Sequence, residues 1–201
     1  MLASSAESAS LNALRRKIKA QRETLRGPMR RSAATGVARR FWRLPQARRA
    51  RALACYAAVR GEMSCKPIIA AAQARGIILC MPVVQAGRLV FARLARRGRT
   101  RRNRFGIPEP LVSRANCRVA ATFDVIVLPL VAFDLSGRRL GTGGGFYDRA
   151  LQSVARRRWC RRPYLVGIAY DFQCVSHLPD RRWDVPLDAI ITDTKLVTFT
   201  R

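Results

Sequence analysis

The chain has 201 residues, 49% of them apolar, and a formal net charge of +27. That length suits one domain with a sizeable core, and the longest apolar run, Phe123 to Phe133, falls far short of the roughly 20 residues a membrane span requires, so no membrane partner is expected. Six cysteines without a Cys-x-x-Cys pair and a single histidine, His177, exclude the usual zinc sites and leave little for histidine acid–base schemes.

In chain order, Ser10 is placed to cap a first helix from about Leu11 to Leu25, with Leu11, Leu14, Ile18 and Leu25 on one apolar face. Gly27-Pro28 breaks it. Further helical stretches from about Met29 to Trp42 and Pro45 to Leu53 make residues 10–53 a helical N-terminal segment, followed by a strand near Cys55 to Val59. Lys66 to Arg75 reads as a helix that Gly76 stops, before a strand at Ile77 to Met81. Arg88 to Arg93 alternates like an exposed strand, and Arg96 to Arg104 is a loop by composition. The run Phe123 to Phe133 has the pattern of a strand buried on both faces of a parallel sheet. A helix from Asp148 to about Arg158, a strand at Tyr164 to Tyr170, and short strands at Ala189 to Thr192 and Leu196 to Phe199 complete the chain. Alternating strands and helices predict a single α/β domain over residues 1–201, an open, mostly parallel sheet with helices on both faces in Rossmann-like layers. Ligands in such sheets bind outside the carboxyl ends of the strands, which brings the turn at Glu62 towards the turn after Phe133.

That second turn is the most informative segment. Asp134-Leu-Ser-Gly-Arg-Arg-Leu-Gly-Thr-Gly-Gly-Gly-Phe-Tyr-Asp-Arg149 sets glycines, arginines and an acid between a strand and a helix. Glycines let the backbone approach a ligand, the helix N-terminus turns free N–H groups towards an anion, and Arg138, Arg139 and Arg149 add positive charge. Asp148 is a candidate magnesium ligand. The segment is neither a P-loop, which needs a Gly-Lys-Ser/Thr ending, nor a dinucleotide fingerprint, which would put Phe146 at the third glycine.

The stretch Leu128-Pro-Leu-Val-Ala-Phe-Asp134 through Arg149 resembles the signature of the 5-formyltetrahydrofolate cyclo-ligases, also called 5,10-methenyltetrahydrofolate synthetases. Leu14-Arg15, Arg60-Gly-Glu-Met63, Phe105-Gly-Ile-Pro-Glu-Pro110 and Trp183-Asp-Val-Pro186 resemble further family segments in the same order. The resemblance implies an enzyme that uses ATP and Mg²⁺ to convert 5-formyltetrahydrofolate into 5,10-methenyltetrahydrofolate, ADP and phosphate, by phosphorylating the formyl oxygen before N10 closes the ring. It assigns ATP contacts to Arg15, Arg139, Leu140, Gly141, Thr142, Gly143, Gly144, Gly145, Phe146 and Tyr147. Folate contacts fall to Ala57, Glu62, Glu109 and the overlapping loop from Thr142 to Phe146. Asp148 and Asp184 become metal ligands, and Asp148 and Arg149 the catalytic pair. Glu109 has a second reading, in which its neighbours Gly106 and Pro108 simply make a turn. The chain departs from the family pattern at Leu11, where relatives often carry lysine, at Ala58 and Ser64, and at Phe146, where some relatives have tyrosine.

Two other readings compete with a ligase. The charge is almost all arginine, 35 residues against four lysines, with clusters at Arg96 to Arg104 and Arg156 to Arg162. Such a balance suits a nucleic-acid-binding protein, but scarce aromatics favour a solvated arginine surface with nonspecific, salt-sensitive adherence to nucleic acid. A nucleotide or sugar-phosphate binder without ligase chemistry is the other. Cys55 and Cys80 read as core residues, and His177 as solvent-facing or structural. Reduced thiols, a cytoplasmic location and a monomer are expected; the Ser- and Arg-rich opening residues only faintly resemble a transit peptide.

Overall fold

The computed structural model describes residues 2–95, 100–103, 106–111, 117–155, 163–181 and 184–199. Phe105, Cys160, Trp183 and most of the two arginine clusters, with any extension of the last helix past residue 155, lie outside them. Eight strands form one sheet: β1 (Ala52–Ala54), β2 (Ile78–Gln85), β3 (Arg88–Arg93), β6 (Cys117–Arg118), β7 (Val125–Leu128), β10 (Tyr164–Ile168), β11 (Ala189–Ile191) and β12 (Leu196–Thr198), in the order β12-β11-β10-β7-β1-β2-β3-β6. The central five, β11-β10-β7-β1-β2, are parallel, and β12, β3 and β6 add antiparallel edges.

Helices cover both faces, as expected. On one, α2 (Gly27–Phe41) and α4 (Lys66–Ala74) bury Val37, Phe41, Ile68 and Ala72 against Leu53, Val127 and Val166. On the other, α5 (Phe146–Ala155) packs Leu151 and Val154 on Ile126, Leu128 and Leu165. The four-residue α3 (Pro45–Arg48) leads into β1. Helix α1 (Leu2–Thr24) crosses outside the carboxyl ends of the strands, where Leu11 meets Ala132, Leu140 and Leu178. Cys55 and Cys80 are core residues and His177 is exposed. No helix among the described residues is long and apolar enough to cross a membrane.

Several boundaries differ from the sequence pattern. Helix α1 starts well before Ser10, which therefore caps nothing. The first strand is Ala52–Ala54 rather than 55–59, because pairing to β2 and β7 on either side outweighs the weak strand preference of Ala-Leu-Ala. The run Phe123 to Phe133 is not one strand: β7 stops before Pro129, which has no N–H for the ladder, and Ala132–Phe133 (β8) turns away to pair with Arg139–Leu140 (β9). Arg88 to Arg93 is internal, with Phe91 buried between β2 and β6. Part of the arginine-rich loop is strand β4 (Thr100–Arg102), paired with β5 (Pro108–Pro110).

Candidate functional site

The β8–β9 hairpin sets up the glycine loop. Its turn is fixed by the buried Asp134 carboxylate, which accepts hydrogen bonds from the Ser136 N–H at 2.9 Å, the Arg138 N–H at 3.1 Å and the Leu178 N–H at 3.0 Å. Strand β9 then delivers Arg139, and residues 141–145 lead into α5. Gly143 and Gly145 take φ of 106° and 62°, regions that a side chain resists. The Arg149 N–H bonds the Gly145 carbonyl at 3.1 Å, so α5 opens directly at the loop with its first-turn N–H groups beside it. Two arginines brace the loop: Arg15 Nε donates to the Gly141 carbonyl at 3.0 Å, and Arg149 Nη2 to the Gly144 carbonyl at 2.9 Å. Arg149 also lies 5.0 Å from the centre of the Phe146 ring.

A cavity of about 710 Å³ opens against this loop. Its lining holds every residue that the family resemblance assigns: Arg15, Ala57, Glu62, Glu109, residues 139–149 and Asp184. Arg138 is the exception among the loop's basic residues. It lies outside the lining and pairs with Asp180 at 3.2 Å and Asp134 at 3.6 Å, so its charge serves the turn. The departures Ala58 and Ser64 also fall outside the lining, whereas Leu11 contributes an apolar contact to it.

Asp148 and Asp184 sit close enough to repel. Burial, then the Asp148 charge, pushes the Asp184 carboxyl above the usual range, while Arg139 and Arg181 oppose the shift. Arg139, almost fully buried, pairs directly with Asp148 and donates to the Val185 carbonyl. One guanidinium thus offsets two carboxylates that come from β9's following helix and from a segment more than 30 residues away. No cluster of three or more metal-ligating acids, histidines or cysteines exists among the described residues. Two carboxylates suit Mg²⁺, which usually takes one or two beside water and phosphate oxygens.

Glu62 lines the same cavity, in the turn after β1. Arg60 and Gly61 both have positive φ, 47° and 73°, and the Val59 N–H donates to Glu62 Oε2 at 3.1 Å. A Cβ on Gly61 would come within 2.9 Å of the Arg22 carbonyl, so only glycine lets this turn press on α1. Burial raises the Glu62 carboxyl above its ordinary range despite the opposing Val59 bond and the charges of Arg22, Lys19 and Arg60. Tyr147, beside Glu62 and Arg139, also has its hydroxyl pushed up by burial. Glu109 Oε1 accepts from the Val84 N–H at 3.2 Å and from Asn103 Nδ2 at 2.7 Å, which fastens the β4–β5 hairpin to β2 at the cavity edge.

The sequence reading missed Lys19, Arg22, Arg60, Tyr56, Gln152 and Arg181, all of which line the cavity. A partial signal existed for two: Lys19 and Arg22 follow Arg15 at four and seven residues, the spacing of one helical face.

Known proteins resemble the chain over most of its length. The profile of the 5-formyltetrahydrofolate cyclo-ligase family matches residues 7–193. The 5-formyltetrahydrofolate cyclo-ligase of Escherichia coli (strain K12) is 34% identical over 182 residues, covering 89% of this chain and 98% of that protein. The cyclo-ligase of Haemophilus influenzae is 35% identical over 182 residues, covering 89% and 95%. Among solved structures, Aquifex aeolicus 5,10-methenyltetrahydrofolate synthetase superposes with a TM-score of 0.78 at 29% identity, covering 95% of this chain and 93% of that one. The Mycoplasma pneumoniae synthetase gives 0.70 at 26% identity, covering 91% and 98%. With its profile matched from residue 7 to residue 193, the chain belongs to the 5-formyltetrahydrofolate cyclo-ligase family, a family of enzymes.

Proposed function

We propose that this protein converts 5-formyltetrahydrofolate into 5,10-methenyltetrahydrofolate at the expense of ATP, with Mg²⁺ as its metal. The observation that carries the reading is one cavity whose lining combines an anion-receptive glycine loop, a pair of carboxylates and a half-buried acid, Glu62. The formyl oxygen on N5 is a poor leaving group. Transfer of the γ-phosphoryl onto it releases ADP; N10 then attacks the formyl carbon and gives up its proton to solvent, the C–O bond breaks, and phosphate leaves with the former formyl oxygen.

Phosphoryl transfer asks a protein mainly for positioning and charge neutralisation. The main-chain amides of residues 143–147 and the α5 N-terminus receive the phosphates, with Arg15, Arg139 and Arg149 supplying positive charge around them. Bound Mg²⁺ would screen the phosphate oxygens and fix the γ-phosphoryl for attack. Asp148 and Asp184 would hold it, and Arg139, paired with Asp148, adds positive charge beside the phosphates. Glu62 accepts hydrogen bonds from the pterin ring and holds N5 and N10 towards the loop.

The test is a coupled assay with purified protein, Mg²⁺, ATP and 5-formyltetrahydrofolate. Growth of the methenyl-folate chromophore should match ADP release and stop when any one component is omitted. Asp148→Ala should abolish turnover while retaining part of the folate affinity. No chromophore and no ADP from folded wild-type protein at saturating substrates would sink the reading. Hydrolysis of ATP indifferent to 5-formyltetrahydrofolate would point instead to a nucleotide binder without ligase chemistry.

A further inference from the structure

Arg22 is a charged side chain that the fold buries with a single long hydrogen bond. It is 1% exposed and lines the cavity, yet its Nε has no hydrogen-bond partner and Nη1 only reaches the Leu130 carbonyl at 3.5 Å, the limit of a bond. Its backbone is held fast: Arg30 Nη2 donates to the Arg22 carbonyl at 2.9 Å, and Gly61 presses on the same peptide. The adjoining residue is Glu62, whose Oε2 accepts one backbone N–H and which forms no ion pair with any base among the described residues. A fully buried cation with one long hydrogen bond, on a backbone pressed against that of a half-buried acid, is costly unless a further group in the cavity bonds to it.

The chemistry of that missing group follows from the pair. A carboxylate accepts hydrogen bonds and a guanidinium only donates. A ligand carboxylate there would be repelled by Glu62, and an edge bearing only amino groups would leave Arg22 unsatisfied. An edge with N–H donors beside a carbonyl completes both. The 2-amino-4-oxopteridine ring has that edge, its amino group and N3–H lying next to its 4-oxo oxygen, and Tyr56, Pro82 and Val84 supply apolar cavity wall for a flat ring. Arg15 and Arg22 are seven residues apart, or roughly 10 Å along α1 at 1.5 Å per residue, so one helix reaches both the phosphate loop and this edge.

We propose that Arg22 is a specificity-determining residue that donates to the 4-oxo oxygen of the pteridine while Glu62 accepts from its amino and N3–H groups. The proposal rests on the cyclo-ligase reading above. It is tested with two inhibitory folate analogues identical except at ring position 4, one oxo and one amino, on wild-type protein and on Arg22→Met, which keeps the length but loses the donors. Wild-type protein should prefer the oxo analogue by at least about tenfold, because a site built to bond a polar group rejects the analogue that leaves it unpaired. Arg22→Met should erase most of that preference and raise KM for 5-formyltetrahydrofolate by about tenfold, with KM for ATP changing by no more than about twofold. A purely structural role would weaken both analogues, and ATP, together. An unchanged preference in Arg22→Met, or no preference in the wild type, overturns the proposal; the wild-type comparison stands even if the variant does not fold. Should the wild type fail to turn over 5-formyltetrahydrofolate, the cyclo-ligase reading falls, while calorimetric binding of the same two analogues still decides the role of Arg22.

Discussion

Glu62 carries its charge where the fold resists it. Burial is the largest influence on its carboxyl and raises it, outweighing the Val59 N–H and three nearby cations. The folded protein therefore holds the Glu62 proton to higher pH than the unfolded chain does. Its contribution to stability is fully present below the ordinary glutamate value of about 4.3 and is lost as pH rises through the higher folded value. Glu62→Gln should accordingly melt above wild type at neutral pH, by an amount within the about 0.5–2 kcal/mol common for relief of functional strain. The gap should close on acidification towards the ordinary glutamate value, and turnover should fall because Gln cannot accept two pterin donors as strongly. Thermal melts of both proteins across the acid to neutral range check this; parallel curves would contradict it. Elsewhere in the cavity, the repulsion between Asp184 and Asp148 is what a bound divalent ion would relieve. Asp184→Asn should raise the half-saturating Mg²⁺ concentration and lower kcat/KM by about 10²-fold, the scale of losing part of a metal's charge stabilisation. Activity measured against Mg²⁺ concentration reads both effects.

The two glycine turns that build the cavity tolerate side chains differently, because different atoms stand in the way. On Gly61 an added Cβ would meet the Arg22 carbonyl, main chain of α1, at 2.9 Å; on Gly145 it would meet Arg149 Nη1, the tip of a flexible side chain, at 2.8 Å. Both positions have positive φ. Gly61→Ala should thus cost more stability than Gly145→Ala, at or above the about 1–3 kcal/mol of a strained backbone site, and should shift α1. Gly145→Ala should cost about 1 kcal/mol and act mainly on KM for ATP, by displacing Arg149 from the Gly144 carbonyl. Denaturant melts and ATP kinetics on the two variants separate these outcomes. The same contrast explains what could be read in advance. Residues 139–149 are contiguous and follow an apolar strand, so their chemistry is written locally, and the rule for strand ends brings Glu62 across to them. Arg22 and Lys19 reach the cavity only because Leu11 docks α1 on Leu140 and Leu178, a long-range contact with no local signature. Asp184 precedes a strand, β11, instead of following the carboxyl end of one, and only the family resemblance pointed to it.

Strands β2, β3, β7, β10, β11 and β12 were legible from apolar runs and alternation, and the layered α/β class from their alternation with helices, but strand order was not. The placement of β1 between β7 and β2 rests on long-range pairings, Leu53 with Val125 on one side and with Leu79 on the other, which leave no periodic trace in Ala-Leu-Ala. Charge behaves in the opposite way: the excess of 27 positive charges is plain in the composition, while its use depends on where the arginines sit. Among the described residues only Arg22 is a fully buried base, so most of the described arginines face solvent or the cavity rim. Exposed cations attract a phosphate backbone by releasing its counterions, a sequence-independent effect that salt removes. Groups in a partly enclosed cavity are screened far less. Random-sequence duplex DNA should therefore bind at low salt and lose at least about 10²-fold in affinity between 50 and 200 mM salt, less than the loss for six to ten phosphate contacts. KM for ATP should change by only a few-fold over the same range, because Arg15 and Arg139 act beside the glycine loop within the cavity. Paired titrations of DNA and ATP against salt make the comparison. Binding that keeps a sequence preference at 200 mM salt would mean that the arginine surface is itself a recognition site, and that this fold carries a second function on its outer face.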